Sequence, residues 1–120
     1  MNVIYLAGPM TGIKNFNFEA FNQAAYTLRK QGHIVFNPAE HGGEKYGEDI
    51  FNNPTGDPKV LAELGFSLDE ALAADTQFIC LKADTIAMLP GWENSKGARA
   101  EHALAFALGR KIIYLGPTHV

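Results

Sequence analysis

Apolar and polar positions follow one another along the chain in blocks of differing period. Val3 to Ala7 is a short unbroken apolar run closed by Gly8-Pro9, the pattern of a buried strand. After the loop Gly8-Pro9-Met10-Thr11-Gly12, the segment Phe18 to Lys30 sets Phe18, Phe21, Ala25 and Leu28 three and four apart. That spacing makes one face of a helix, and Gly32 supplies its stop. His33 to Phe36 is a second strand, ended by Asn37-Pro38. From there to about Pro58 the chain is polar and broken by Gly42-Gly43, Asn52-Asn53-Pro54 and Gly56-Asp57-Pro58. It reads as one long loop with little regular structure, of a length found in lids and binding loops. Ser67-Leu68-Asp69-Glu70 is a capping box that opens a second helix reaching about Leu81. Thr85 to Leu89 is a third strand, Lys96 to Leu108 a third helix, and Lys111 to Leu115 a last strand.

Strands that alternate with helices predict a parallel sheet flanked by helices. The expectation is one α/β domain over residues 1–120, a three-layer flavodoxin- or Rossmann-like fold with four or five strands. In the flavodoxin-like order the first and third strands lie side by side at the switch point, and ligands bind beyond the carboxyl ends of the strands there. The loops placed at that point are Gly8 to Gly12 and Pro90 to Ser95, so the topology selects a site before any motif is consulted.

Composition narrows the function classes. The 120 residues are 47% hydrophobic and 19% charged, with a formal net charge of −3. A mildly acidic domain does not suit binding to a nucleic-acid polymer, which needs a basic face. No apolar run approaches the roughly 18 residues of a membrane span, and the first residues lack the basic start of a secretion signal. A lone cysteine, Cys80, gives no internal disulfide and no cysteine-based zinc site. A soluble, cytoplasmic protein is expected, with Cys80 as a small core residue. His33, His41, His102 and His119 are scattered without metal-ligand spacing, so no metal or other cofactor is expected. His102 points about 100° around the helix from Glu101 and is expected to be exposed. Phe16, Phe18 and Phe21 lack interleaved basic residues and read as core, not as a nucleic-acid platform.

Two carboxylates fall on apolar stripes. In the third helix the stripe runs through Gly97, Glu101, Leu104 or Ala105, and Leu108. Burying Glu101 is costly unless it is paired or hydrogen-bonded, and the helix N-terminus one turn away favours its ionised form. Spacing alone leaves open a side chain that tilts out to solvent. In the second helix Leu68, Leu72, Asp75 and Ile79 repeat the pattern. Two inward carboxylates beside one strand suggest a shared pocket in which one is nucleophile and the other proton carrier. Asp75 paired with Lys82 or a loop amide is the structural alternative. Ser95-Lys96-Gly97 opens a helix whose amides attract an anion. A single phosphate would fit between it and the Gly8 to Gly12 loop. Neither segment is a dinucleotide or triphosphate loop. Trp92 is placed to stack on a base or sugar, or else to pack.

Tyr5-Leu6-Ala7-Gly8-Pro9-Met10-Thr11-Gly12, Asn37-Pro38-Ala39-Glu40 and the run from Leu89 to Glu101 resemble the small phage and bacterial proteins of the DUF4406 type, within the nucleoside 2-deoxyribosyltransferase-like superfamily. The resemblance implies that Glu101 attacks the anomeric carbon, that Asp75 assists the leaving base, and that Tyr5 orients the nucleophile. It also implies that Gly8, Met10, Thr11 and Gly12 line the phosphate and sugar. Nucleoside transferases carry an Asp six residues before the nucleophile, whereas the monophosphate hydrolases carry a Ser followed by x-Gly. This chain has Ser95 and Gly97, which welcome a phosphate that an Asp would repel. Where the hydrolases can carry an Arg in the first loop, this chain has Thr11; Lys96 or Arg99 is placed to substitute. The expected activity is N-glycosidic cleavage of a (deoxy)nucleoside 5'-monophosphate. The alternatives are a catalytically idle nucleotide-binding protein, such as a sensor or sponge, and a transferase that exchanges bases. A homodimer or higher homo-oligomer is expected by analogy with those relatives.

Overall fold

Apolar runs become the strands of this molecule, and the three-and-four spacing becomes its helices. The computed structural model describes residues 1–40, 54–63, 65 and 67–116. Strands β1 (Val3–Ala7), β2 (Ile34–Phe36), β3 (Thr85–Met88) and β4 (Lys111–Tyr114) alternate with helices α1 (Phe18–Lys30), α2 (Pro58–Glu63), α3 (Leu68–Leu81) and α4 (Lys96–Ala107). The sheet has the order β2-β1-β3-β4 and every pairing is parallel. This is the expected α/β class with the expected switch point, since β1 and β3 are neighbours in register Tyr5↔Ile86. No described helix is long and apolar enough to cross a membrane.

Successive strand residues point to opposite faces of a sheet, and two cores result. Ile4, Leu6, Val35, Ala87 and Leu89 pack with Phe16, Phe18, Phe21, Ala24, Ala25 and Leu28 on the α1 side. Tyr5, Ala7, Ile86 and Met88 pack with Ile79, Ala83, Ala98 and Ala105 on the α3 and α4 side. The fold is therefore three layers, with each large apolar side chain contributing roughly 1.5–3 kcal/mol by its burial.

Helix ends follow their sequence signals. Ser67 caps α3 by accepting the Glu70 amide, as the capping box requires. Asn37-Pro38-Ala39-Glu40 proves to be a structural bracket. Buried Asn37 accepts the Ala39 amide and donates to Asn22 Oδ1, and Glu40 takes both terminal nitrogens of Arg29 at 2.7 Å. Arg29 also donates to the Val35 carbonyl, which joins α1 to β2.

Three expectations need correction. The expected loop to Pro58 includes a helical turn at residues 38–40 and runs into α2, where Asp57 Oδ1 caps the Lys59 amide; residues 41–53 lie outside the described residues. Cys80 is exposed, because Ile79 holds the inward position and the next residue lies about 100° around the helix. Leu108, expected on the inward stripe of α4, is 39% exposed beyond the end of the helix, while Ala98 and Ala105 face the sheet.

Candidate active site

A cavity of about 750 Å³ opens beyond the carboxyl ends of β1 and β3, where the topology placed it. Its floor includes Tyr5, Leu6 and Ala7. One side is the first loop, with Gly8, Pro9, Met10 and Thr11, backed by Phe16, Phe18 and Phe21. The other is formed by α3 through Glu70, Leu72 and Asp75, and by α4 through Ser95, Lys96, Gly97 and Glu101. Strand-end packing fixes the first loop tightly. A Cβ on Gly8 would stand 2.7 Å from Leu89 Cβ, closer than any real pair, so no side chain fits there. The turn that follows has positive φ at Asn15, Phe16 and Asn17. Phe16 is held in that costly conformation by burial at 1% exposure, with Asn17 Nδ2 donating to the Pro9 carbonyl.

The polar centre is a triad, with Glu101 and Tyr5 buried and Asp75 half-buried. Glu101 sits in the second turn of α4 at 6% exposure, and Tyr5 in mid-strand at 1%. The Tyr5 hydroxyl donates to Glu101 Oε2 at 2.6 Å, a short charge-assisted geometry. Asp75 reaches both by charge and hydrogen bonding. It also lines the cavity. The Tyr5 ring is immobilised by stacking on Phe36 at 5.5 Å and by tilted contact with Phe78. Glu101 therefore meets a fixed hydroxyl.

Protonation in this triad follows from burial first. Desolvation raises the Glu101 pKa to about 8; the Tyr5 hydrogen bond opposes the rise, and the charge of Asp75 adds to it. Burial, then the charges of Glu101 and Asp75, hold the Tyr5 phenol well above its ordinary value. Tyr5 stays a neutral donor, and near neutral pH Glu101 keeps its proton beside Asp75.

The N-terminus of α4 completes the wall. Ser95 Oγ accepts the Ala98 amide at 3.2 Å, capping the helix. The Lys96 and Gly97 amides have no carbonyl one turn back, and both residues line the cavity. Lys96 brings a positive side chain to this end, whereas Arg99, the other expected cation, does not line it.

Of the residues expected in the site, the structure brings together Tyr5, Gly8, Met10, Thr11, Asp75, Ser95, Gly97 and Glu101. Gly12 and Trp92 are not among the cavity-lining residues. Gly12 instead donates its amide to the Gly56 carbonyl, which ties the first loop to the segment before α2. The Trp92 ring instead packs half-buried against the core on the α3 and α4 side and stacks on His102 with centroids 4.3 Å apart. His102, expected exposed, is half-buried in that stack and bonds the Tyr114 hydroxyl at 2.8 Å. Asn94, in the loop expected at the site, also reaches the cavity, as does Glu70, which was not anticipated. The stripe holding Asp75 pointed toward α3's inner face, but not to its exposed first turn. Among the described residues, no three His, Cys, Asp or Glu side chains gather as a metal site requires.

No curated protein matches the chain. The family model described as a domain of unknown function, DUF4406, matches residues 2–114, a span that holds the whole sheet and every described cavity residue; the chain belongs to that family.

Proposed function

We propose that the protein is an N-glycosidase that hydrolyses the N-glycosidic bond of a (deoxy)nucleoside 5'-monophosphate. The observation that carries this reading is the Tyr5–Glu101 hydrogen bond of 2.6 Å, at the floor of a cavity with Asp75 on one wall and the N-terminus of α4 at its rim. A buried carboxylate positioned by a neutral donor suits attack on an electron-poor carbon. A second carboxyl sharing its proton suits protonation of a leaving group.

In this mechanism Glu101 attacks C1' in its ionised form while the shared proton resides on Asp75. The C1'–N bond breaks with its electron pair on the base nitrogen, which takes the proton from Asp75 directly or through water. The product of this step is a glycosyl ester on Glu101. Water then opens the ester, giving up a proton to the carboxylate pair and releasing sugar phosphate. Tyr5 holds Glu101 in line throughout. The phosphate lies against the free amides of α4, with Ser95, Lys96 and the first loop around it. Binding energy spent there places C1' over Glu101.

The test is a panel of common and modified (deoxy)nucleoside monophosphates, incubated with wild type and with Glu101→Ala and separated by chromatography for free base. Base released by wild type alone is the expected result. Base released equally by both proteins would overturn the mechanism. No release, with nucleotide binding still measurable by calorimetry, would replace it with a binding protein. Formation of a new nucleotide on adding a free base would replace hydrolysis with transfer.

A further inference from the structure

The three rings outside the cavity have a geometry that packing alone does not require. Trp92 stacks on His102 at 4.3 Å with planes 22° apart, and lies 6.1 Å from Tyr114. His102 and Tyr114 add a hydrogen bond of 2.8 Å. These residues come from three places: the segment after β3, the middle of α4, and the end of β4, where Tyr114 is 61% exposed. Residues 89–95 form the cavity rim between β3 and α4, and Trp92 is the pivot of their backbone. Its amide donates to the Leu89 carbonyl, and its carbonyl accepts the Ser95 amide. Gly91 precedes it with φ of 86°, a conformation that side chains rarely adopt, and leads into a single 3-10 turn over Trp92–Asn94. Ser95 caps α4, and Pro90, Gly91 and Asn94 face the cavity. The ring of Trp92, packed against the α3 and α4 core, is thus the anchor of a segment whose other side is the binding wall.

We infer that the Trp92–His102–Tyr114 stack is a positioning device that holds the rim of residues 90–95 in register with the N-terminus of α4 and so sets affinity for the substrate's anionic end, an inference that rests on the proposed reading for the identity of that end. Trp92 and His102 are positioning residues, acting through Ser95 and the rim backbone without touching the ligand. The stack sits at the surface, where a half-exposed hydrogen bond and ring contact contribute little to global stability. Its loss therefore loosens the rim more than it unfolds the domain.

Two measurements on His102→Ala and on His102→Phe, which keeps a ring on Trp92, test the device. The first needs no ligand: amide hydrogen exchange at Asn94 and Ser95 speeds up by about tenfold in His102→Ala, is restored in His102→Phe, and is unchanged at β1 amides in both. Equal exchange at Asn94 and Ser95 in wild type and His102→Ala overturns the positioning role. The second is steady-state kinetics on whichever monophosphate the wild type cleaves. His102→Ala raises KM by roughly 5- to 10-fold with kcat within about twofold, and His102→Phe returns KM toward wild type. A loss confined to kcat, or an unchanged KM, overturns the link to affinity. Should the wild type neither bind nor cleave any monophosphate, the proposed function falls by itself. The exchange measurement still decides the device.

Discussion

The proposed mechanism needs Glu101 both buried, to be positioned, and ionised, to react, and the residues around it arbitrate. Burial and Asp75 push its pKa up to about 8, while the Tyr5 hydroxyl favours the charged form. In the proposed mechanism the active form is the pair with one proton, so kcat/KM falls as pH passes about 8 and the last proton leaves. Tyr5→Phe removes the bond that lowers this pKa, so its alkaline limb moves to higher pH while the rate at neutral pH drops. Rates that climb steadily through pH 9 in wild type would rule out a shared proton. Asp75→Asn keeps the shape of the site but leaves no acid for the base, costing about 10²- to 10⁴-fold on ordinary nucleotides. Most of that loss should vanish on a substrate whose leaving group needs no proton, and an equal deficit on both substrates would deny Asp75 the acid role. The inward position of both carboxylates was legible, because a charge falling on an apolar stripe at helical spacing has few places to go. The direction of the Trp92 ring was not. It leaves a short turn whose orientation is set by His102 and Tyr114, and their proximity is a property of the folded sheet.

At the scale of elements, α4 does two jobs with its first turn. Ser95 caps it, and the neighbouring amides face the cavity. Ser95→Asp separates the jobs, because Asp is as good a cap as Ser but places a negative charge where the phosphate is proposed to lie. The ratio of kcat/KM for a monophosphate to that for its nucleoside should fall by at least about tenfold, with the melting temperature nearly unchanged. A ratio that stays constant would move the phosphate elsewhere. Gly97→Ala presents the opposite trade. Its Cβ would find only Leu72 at 3.9 Å, so the helix gains up to about 1 kcal/mol from propensity while a methyl enters the cavity. Elements were the most legible level: α1, α3 and the four strands stand within a residue or so of their apolar patterns, since each pattern matches one period. The helix α2 was missed although Asp57-Pro58 is a cap followed by a favoured first residue, because the surrounding glycines and prolines signal loop. Cys80 and Leu108 went astray at helix ends, where a stripe no longer has a facing layer to hold it.

For the whole molecule, the strand order follows from the alternation of strands and helices, and the cavity follows from the strand order. The protein then carries a thermodynamic mark of that cavity. A carboxyl whose folded pKa is raised contributes stability that is complete below its unfolded value, near 4.5, and lost as pH rises through about 8. Asp84 and Glu40 act in the other direction. Hydrogen bonds from Thr85 and the Val3 amide lower the first, and Arg29 lowers the second, so their contributions are lost as pH falls below the ordinary carboxylate range. Both are largely exposed, and their effect is small. Between pH 5 and 8.5 Glu101 is therefore the dominant carboxyl of these three, and holding its proton in the fold while the unfolded chain ionises removes on the order of 3 kcal/mol of stability by neutral pH. Glu101→Gln removes the titration but keeps an acceptor for Tyr5. Thermal unfolding across this range should show wild type losing roughly 10 °C or more relative to Glu101→Gln, with the variant the more stable protein at pH 8.5. Parallel curves would mean that Glu101 reaches water or a cation in the folded state. The site's cost to the fold would then have to be sought in other residues.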